Sequence, residues 1–334
     1  MTLGDSVRGV VLSGTGGVWR IRTEGGDTIE ASLRGRLKKS DTGRRASGDD
    51  ESSAVMRRDT VAAAEITLKL AVGDDVRLER SMRDDAWAIA EILPRRSKLA
   101  RRAPGGGFGE RIVAANVDQV VVVFAAAKPD PHERMLDRFL VIAEGNSLAA
   151  RIVVNKVDLV GREAAHKRFA DYERAGYPLH FTSAKSAEGL DELRAALRGR
   201  RSVLTGPSGV GKSSLLNAVF PGANLRVGAI SESVNKGRHT TVGAVMLPLP
   251  DADGGYVIDT PGLREVGLWA LPVEELDRCF PELRGLRDQC RFADCRHVAE
   301  PDCAVRDAVA SGRVSRARYE SYIKLRDEME DGTE

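Results

Sequence analysis

A glycine-rich loop that contains a lysine, GPSGVGKSS at residues 206–214, is the part of this 334-residue chain best suited to hold a phosphate chain. It matches G-x-x-x-x-G-K-[ST], in which glycines let backbone N–H groups turn toward phosphate oxygens. Lys212 would reach the β- and γ-phosphates, and Ser213 would bind Mg²⁺. The alternative is a glycine-rich turn with a surface lysine, but a predicted strand before the loop and a predicted helix after it favour phosphate binding. The predicted contacts are Gly206, Pro207, Ser208, Gly209, Val210, Gly211, Lys212, Ser213 and Ser214.

A second phosphate motif, DTPG at residues 259–262, follows the last predicted strand. Asp259 would orient Mg²⁺ through water, and the Gly262 N–H would meet the γ-phosphate. A D-x-x-G pattern alone usually means a turn, but together with the upstream loop it predicts a nucleotide site. The next residue is Leu263, where many GTPases place a glutamine that orients the attacking water, so another group or a partner must supply that role.

The segment NKVD at residues 155–158 has the residue types that select guanine. Asp158 can accept hydrogen bonds from the ring N–H and the exocyclic amine of guanine, a pair of donors that adenine lacks. Asn155 would fix the loop, and the aliphatic stem of Lys156 would lie along the face of the base.

A second base motif, TSAK at residues 182–185, follows the next predicted strand. Here Ser183 and Ala184 are predicted to contact the base, with the Ala184 N–H at the guanine carbonyl, and Lys185 would pack on the other side. Each four-residue match is weak alone. Two matches after consecutive strands are strong, because ligands of open α/β sheets bind at the carboxyl ends of strands.

The order of these motifs is a cyclic rotation of the usual one, since both base motifs precede the phosphate loop. Chance matches would have no reason to keep cyclic order. Because the termini of compact domains often lie close together, joining them and opening the chain elsewhere can preserve a fold. The sequence therefore predicts a circularly permuted nucleotide-binding domain.

Alternating strands and helices after residue 111 must position these motifs. Such alternation predicts a doubly wound, mostly parallel sheet, and the apolar segment 118–127 has the composition of a strand buried on both faces. The glycine- and proline-rich stretch 101–110 has the composition of a linker. Strands are predicted at 150–154, 178–182, 201–205 and 256–259, and helices at 132–144, 161–175, 190–199 and from 211.

The first third of the chain contains short β-prone runs separated by glycine-rich turns, which predict a small barrel. A polar stretch, 39–53, has the composition of a loop. Trp19 and Trp87 are either barrel core or platforms for stacking bases. The β-prone runs are 7–13, 17–23, 28–33, 61–70, 76–80 and 86–92.

Two basic runs, 34–39 and 95–102, are either solvated charge or phosphate contacts. The net charge of +2 indicates no global attraction to nucleic acid, so a contact would depend on these local runs. The N-terminus shows no signal pattern, and the longest apolar run is too short to cross a bilayer, which predicts a soluble, cytoplasmic protein. The candidate RNA contacts are Arg34, Arg36, Lys38, Lys39, Arg95, Arg96 and Lys98.

Three cysteines and a histidine near the C-terminus have the pattern C-x4-C-x-H-x5-C. Three thiolates and one imidazole suit a closed, tetrahedral, structural zinc site; unligated thiols are the alternative. Cys279 lies outside the spacing and is predicted to be a small buried residue. The tail at 313–330 has helical spacing and is expected to pack on a neighbouring domain. The predicted zinc ligands are Cys290, Cys295, His297 and Cys303.

The chain closely resembles the ribosome small-subunit-dependent GTPases (the RsgA, or YjeQ, family) of circularly permuted GTPases. Besides the nucleotide motifs, the segments RGRLKK, ILPRRSKLARR, IVAANVDQVVVV, LDRFLVIAE, KGRHTTVGAVML, VIDTPGLREVGL and CRFADCRHVAEPDC resemble blocks of that family. The resemblance implies an OB barrel at 1–110, a permuted GTPase domain at 111–270, and a zinc domain with a C-terminal helix at 271–334.

The resemblance further implies a GTP hydrolase that binds the small (30S) ribosomal subunit through 16S rRNA, assists its late maturation and leaves after hydrolysis. We expect a monomer without a membrane contact. In the predicted switch segment, Thr240 or Thr241 would bind Mg²⁺. His239 would position the attacking water, or would be an ordinary loop histidine or an RNA contact. The alternative function is a GTP-responsive RNA-binding sensor in which hydrolysis is incidental.

Overall fold

The computed structural model describes residues 6–34, 69–81, 86–102, 110–223, 244–250, 254–260 and 271–331. The chain divides into two compact units, Met1–Pro94 and Arg95–Glu334. Within the described parts, every helix is too short or too polar to span a lipid bilayer.

The first unit is a closed five-stranded barrel with the strand order β1-β2-β3-β5-β4. Strands β3 and β5 pair in parallel and the other neighbours are antiparallel. Alternate side chains point inward, so that Val11, Ile21, Leu78 and Ile89 form a core closed to solvent. The predicted barrel is confirmed. Its strands are β1 (Val7–Thr15), β2 (Val18–Thr23), β3 (Thr28–Leu33), β4 (Asp75–Arg80) and β5 (Trp87–Ile92).

Both tryptophans of this unit pack against the barrel core. Trp19 and Trp87 are half-buried beside the core side chains. Trp19 also lies over Gly14, where an added Cβ would come within 2.3 Å of the ring. These contacts favour the core interpretation of the two indoles over free stacking platforms. Of the run predicted at 61–70, only residues 69 and 70 are described, and they lie outside the strands.

The second unit is built on a six-stranded sheet with the order β10-β9-β8-β11-β13-β12. All neighbours are parallel except β12, which runs antiparallel to β13 at the edge. The predicted doubly wound sheet is thereby confirmed. Its strands are β8 (Gln119–Ala125), β9 (Ala149–Asn155), β10 (Leu179–Phe181), β11 (Arg201–Thr205), β12 (Val245–Pro248) and β13 (Tyr256–Asp259).

Helices cover both faces of this sheet, which explains why β8 is apolar at every position. Val121 and Val123 pack with side chains of α3 and α4, whereas the ring of Phe124 meets Phe139 of α1 on the other face. Successive residues of a strand point to opposite faces, so both sets are buried. The helices are α1 (Glu133–Gly145), α2 (Arg162–Arg174), α3 (Leu190–Leu197) and α4 (Lys212–Val219).

The stretch predicted as a linker, 101–110, belongs in part to a β-hairpin, so that prediction needs correction. Strand β6 (Lys98–Arg102) pairs antiparallel with β7 (Glu110–Ala115), and Arg102 lies opposite Glu110. The intervening residues 103–109 lie outside the described part of the chain. Glycine and proline composition alone does not distinguish the turn of a hairpin from a linker.

The C-terminal segment is helical. A 3₁₀ helix (Val273–Cys279) is followed by α5 (Pro281–Arg287), α6 (Ala304–Ala310) and α7 (Arg316–Glu330). The hydroxyl of Ser315 caps α7 by accepting the backbone N–H of Arg318. Helix α7 lies against α1 of the sheet, as expected for the tail.

Candidate nucleotide site and metal cluster

The carboxyl ends of the parallel strands bring the predicted nucleotide motifs to one edge of the sheet. Asn155 ends β9, Thr182 follows β10, Gly206 follows β11, and Asp259 ends β13. Parallel strands present their carboxyl ends at the same edge, where open α/β sheets bind ligands. Of the predicted residues, His239, Thr240, Thr241 and Gly262 lie outside the described residues.

The phosphate loop follows a path that only glycine allows at two positions. Gly206 has φ +136°, and a Cβ there would lie 2.0 Å from the carbonyl oxygen of Val123. Gly211 has φ +90°, and its Cβ would lie 2.7 Å from Nδ2 of Asn155. The first glycine therefore lets the loop lie against β8, and the second lets it lie against the base motif.

Lys212 begins α4 with its amine turned back onto the loop. Its Nζ donates to the carbonyl oxygens of Gly206 at 2.8 Å and Pro207 at 2.7 Å, and the residue is only 8 % exposed. A buried ammonium needs such acceptors, and phosphate oxygens can replace them. Ser213, buried in the first turn, lies next to it, while Ser208 and Gly209 at the tip of the loop are exposed.

The base motif is hydrogen-bonded to the phosphate loop across more than fifty residues of sequence. Nδ2 of Asn155 donates to the Val210 carbonyl at 2.9 Å. Lys156 has φ +63°, a left-handed conformation that directs its Nζ to the Gly209 carbonyl at 2.6 Å and to the Lys128 carbonyl. The permuted order of the motifs is thus compatible with one continuous site.

The second base motif holds the carboxylate of the first. The hydroxyl of Ser183 donates to Oδ1 of Asp158 at 2.6 Å and accepts the backbone N–H groups of Lys185 and Ser186 at 3.2 and 3.1 Å. The side chains of Asp158 and Lys185 are exposed to solvent. Ala184, which precedes Lys185, is half-buried. One carboxylate oxygen is therefore fixed by protein while the group still faces solvent.

The four predicted zinc ligands lie together in the C-terminal segment. The Nδ1 of His297 is 3.5 Å from the Cys290 sulfur and 3.4 Å from the Cys303 sulfur, and the two sulfurs are 3.9 Å apart. All four ligand atoms, including the Cys295 sulfur, lie within 4.8 Å of one another. Tetrahedral zinc, with Zn–S of about 2.3 Å and Zn–N of about 2.0 Å, places ligand atoms about 3.5–3.8 Å apart. The cluster is therefore compatible with zinc.

Asp277 supports the histidine of this cluster from the far side of the ring. Its Oδ2 lies 3.3 Å from Nε2 of the fully buried His297, and its Oδ1 lies 3.3 Å from a guanidinium nitrogen of Arg287. A carboxylate at Nε2 favours the tautomer that leaves Nδ1 free to bind a metal. The sequence prediction missed Asp277, because its contact with His297 joins residues twenty positions apart.

Cys279 stands apart from the cluster, as predicted from its spacing. It is buried, and its sulfur lies 3.7 Å from the Glu275 carbonyl. Burial raises the pKa of its thiol to about 12.

Arg318, which the sequence analysis did not single out, joins the C-terminal segment to the sheet. It is 3 % exposed, donates to Asp137 of α1, and donates to Glu282 of α5 at 2.7 and 3.2 Å. Burial alone would lower its pKa, but the two carboxylates outweigh burial and raise the pKa above its usual value. The guanidinium also stacks 4.7 Å from the Phe280 ring and 5.2 Å from the Tyr172 ring.

The candidate RNA contacts are partly engaged within the protein. Arg34 pairs with Glu79 of the barrel. Arg96 pairs with Asp118 at 3.0 Å and donates to the Asn116 carbonyl at 2.9 Å, although its side chain is 55 % exposed. Arg95 is half-buried, and Lys98 is exposed on β6. Arg36, Lys38 and Lys39 lie outside the described residues.

Comparison with known proteins finds similarity to one family over nearly the whole chain. The family described as RsgA GTPase matches residues 92–269. A relative from Gemmatimonas aurantiaca, named small ribosomal subunit biogenesis GTPase RsgA, is 57 % identical over 325 residues, covering 97 % of this chain and 98 % of the relative. The crystal structure of YjeQ from Thermotoga maritima matches with a TM-score of 0.74 and 33 % identity, covering 97 % and 98 % of the two chains. The crystal structure of YloQ, a circularly permuted GTPase, matches with a TM-score of 0.69 and 26 % identity over 98 % and 96 %.

Proposed function

Because the chain belongs to the RsgA GTPase family, we propose that it hydrolyses GTP in the biogenesis of the small ribosomal subunit. The observation that carries this proposal is the pair of hydrogen bonds from Asn155 and Lys156 to the phosphate loop. They join a guanine-selective motif and a phosphate-binding motif in one site, as GTP requires.

In the proposed complex, GTP lies along the carboxyl edge of the sheet. The backbone N–H groups of residues 206–214 surround the phosphates, and Lys212 exchanges the carbonyls of Gly206 and Pro207 for β- and γ-phosphate oxygens. Asp158 accepts the two donors of guanine, held in place by Ser183. Ala184 N–H meets the guanine carbonyl, and Lys156 and Lys185 flank the base.

Magnesium is the metal expected at the phosphates. Ser213 and either Thr240 or Thr241 would hold it directly, and Asp259 would hold it through water. His239 is the candidate for positioning the attacking water, because Leu263 has no hydrogen-bonding group. With glutamine absent from that position, we expect slow hydrolysis by the protein alone and faster hydrolysis when the partner orders the site.

Zinc is the metal proposed for the cluster of Cys290, Cys295, His297 and Cys303. Three thiolates and one imidazole complete a tetrahedron, so the metal would keep no position open for a substrate. Its role is then structural, to hold the loop between α5 and α6.

The proposed partner is the small ribosomal subunit, because the relative from Gemmatimonas aurantiaca is named for its biogenesis. The protein would act as a cytoplasmic monomer late in maturation, bind 16S rRNA and leave after hydrolysis. The barrel and the basic residues Arg34, Arg95, Arg96 and Lys98 are proposed RNA contacts, the sheet carries the GTPase site, and the segment from residue 271 carries the zinc.

The test is GTP turnover measured with and without purified small subunits. A large stimulation supports the proposal. The alternative, a GTP-responsive sensor, stays open because Leu263 replaces the usual glutamine. Nucleotide-dependent binding to the subunit without stimulated turnover would favour the sensor and contradict the enzyme.

A further inference from the structure

A basic pocket lies at the amino edge of the sheet, opposite the proposed GTP site. Its volume is about 500 Å³, and it is lined where β8, β11 and β13 begin, by Arg96, Asp118, Arg200, Arg201 and Tyr256 together with two glycines. We propose that this pocket binds phosphodiester groups of RNA. The identity of the RNA, that of the small ribosomal subunit, rests on the proposed function. The pocket itself does not depend on the nucleotide site.

Backbone hydrogen bonds fix the floor of the pocket. The N–H of Asp118 donates to the Arg201 carbonyl at 2.9 Å, and the N–H of Tyr256 donates to the Arg200 carbonyl at 2.8 Å. Gly255, at φ +120°, lets the two turns approach, since a Cβ there would lie 3.0 Å from the Leu197 carbonyl oxygen. The guanidiniums therefore extend from a rigid base.

Among the described lining residues, Arg200 adds a guanidinium to the ion pair of Arg96 and Asp118. Asp118 pairs with Arg96 at 3.0 Å and accepts the backbone N–H of Arg201 at 2.7 Å, and it is the one carboxylate among the described lining residues. The Nη1 of Arg200 lies 3.5 Å from Oε1 of Gln119, a neutral acceptor. An anion entering the pocket would therefore meet the guanidinium of Arg200, whose described side-chain partner carries no charge.

A further arginine shares that same neutral acceptor. The Nε of Arg151 lies 3.4 Å from Oε1 of Gln119, and its Nη1 lies 2.6 Å from Nε2 of His180. Burial, and then Arg151, lower the pKa of His180 to about 4 despite the nearby Glu192, so the ring is neutral at neutral pH. Burial and the charge of Arg200 lower the pKa of Arg151. The guanidiniums of Arg151 and Arg200 thus lie near the same amide oxygen of Gln119. A bound anion would reduce the repulsion between these two positive charges.

The shape of the pocket favours a nucleic-acid backbone over a small anion. Arg200 is exposed and the side chain of Arg96 is 55 % exposed, so a phosphate that is part of a long chain can reach both without being enclosed. The planar guanidinium matches two phosphate oxygens, and the half-buried ring of Tyr256 offers a surface for a base. RNA bound here would contact the amino ends of strands whose carboxyl ends carry the GTP motifs.

The experiment compares Arg200→Gln with Lys167→Gln, which removes one charge from an exposed position on α2 outside the pocket. Binding to purified small subunits, with a non-hydrolysable GTP analogue, is measured as a function of salt. We expect Arg200→Gln to weaken binding about tenfold at 0.1 M salt and to reduce the salt slope by about 0.7–0.9, as for one lost phosphate contact. Arg200→Lys, which keeps the charge but loses the planar fork, should fall between wild type and Arg200→Gln.

A second arm uses a mixed-sequence RNA duplex with inorganic phosphate as competitor, and melting temperatures confirm that the variants fold. Equal affinity and slope for Arg200→Gln and Lys167→Gln would overturn the proposal, and competition by millimolar inorganic phosphate would identify a small-anion site instead. If the wild-type protein does not bind small subunits and its GTP turnover is not stimulated by them, the proposed function fails. The measurement with the RNA duplex still tests whether the pocket binds RNA.

Discussion

The nucleotide edge and the metal cluster are two sites of one compact unit, but they are built in opposite ways. The phosphate loop depends on backbone, with Gly206 and Gly211 at positive φ and Lys212 bonded to carbonyls that phosphate oxygens can replace. The cluster depends on four side chains whose ligand atoms converge, with His297 and Cys303 buried and Cys290 and Cys295 half-buried. The first arrangement suits a ligand that is exchanged, and the second suits a metal ion that is kept.

Substitution of a zinc-ligating cysteine should have the largest effect on the folding of the C-terminal segment. Cys303→Ser removes a buried sulfur that is a proposed zinc ligand, and structural zinc sites contribute roughly 10–16 kcal/mol of binding free energy that is also folding free energy. We expect loss of bound zinc and of hydrogen-exchange protection in residues 271–331, with GTP affinity retained. The control is Cys279→Ala, which should keep its zinc. Normal zinc content in Cys303→Ser would contradict the assigned ligand set.

The buried ion pairs of Arg318, which join α7 to α1 and α5, should have the second-largest effect when broken. Arg318→Met leaves the buried Asp137 and the nearly buried Glu282 without their partner, and removal of one member of a buried ion pair costs about 3–5 kcal/mol. Denaturant unfolding measures the loss. Lys324→Met, on the exposed side of the same helix, should stay within about 0.5 kcal/mol of wild type. Equal stability of the two variants would show that α7 is held by other contacts.

Glycine substitution in the phosphate loop should come third. Gly206→Ala brings Cβ against the Val123 carbonyl and should cost on the order of 3 kcal/mol, with GTP binding lost because the loop must move. Gly209→Ala has less backbone strain, at φ +77°, and meets its nearest atom only at 3.8 Å, so it should bind GTP more tightly than Gly206→Ala. Isothermal calorimetry with GTP separates the two, and the reverse ranking would contradict the described loop.

Removal of the Asp277 carboxylate that contacts His297 should have the smallest effect. Asp277→Asn keeps the shape of the side chain but weakens the orientation of His297, and such outer contacts are worth about 10- to 100-fold in metal affinity. Competition with a chelator measures the affinity. The exposed Asp288→Asn is the matched control and should match wild type. An unchanged affinity in Asp277→Asn would remove Asp277 from the site.

The motifs whose residues lie close together in the sequence could be predicted from it. Loop motifs such as NKVD and the phosphate loop carry their chemistry within a few residues, and the barrel and the alternating sheet follow from short-range patterns. Strand β12 was missed, because four residues ending in proline give too short a pattern. Asp277 and Arg318 were missed for another reason, since their partners lie far away in sequence, as when Arg318 meets Asp137.

Guanine selection by Asp158 requires the permuted motifs to form one working site, so its loss or reversal is the sharpest test of that site. Hydrolysis of GTP and of xanthosine triphosphate is measured with small subunits present, for the wild-type protein and for Asp158→Asn. The asparagine can still accept the Ser183 hydroxyl, but it donates to the additional carbonyl of xanthine where the aspartate accepts from the guanine amine. We predict that the preference for GTP reverses by roughly 100-fold or more. An unchanged preference for GTP in Asp158→Asn would contradict the account.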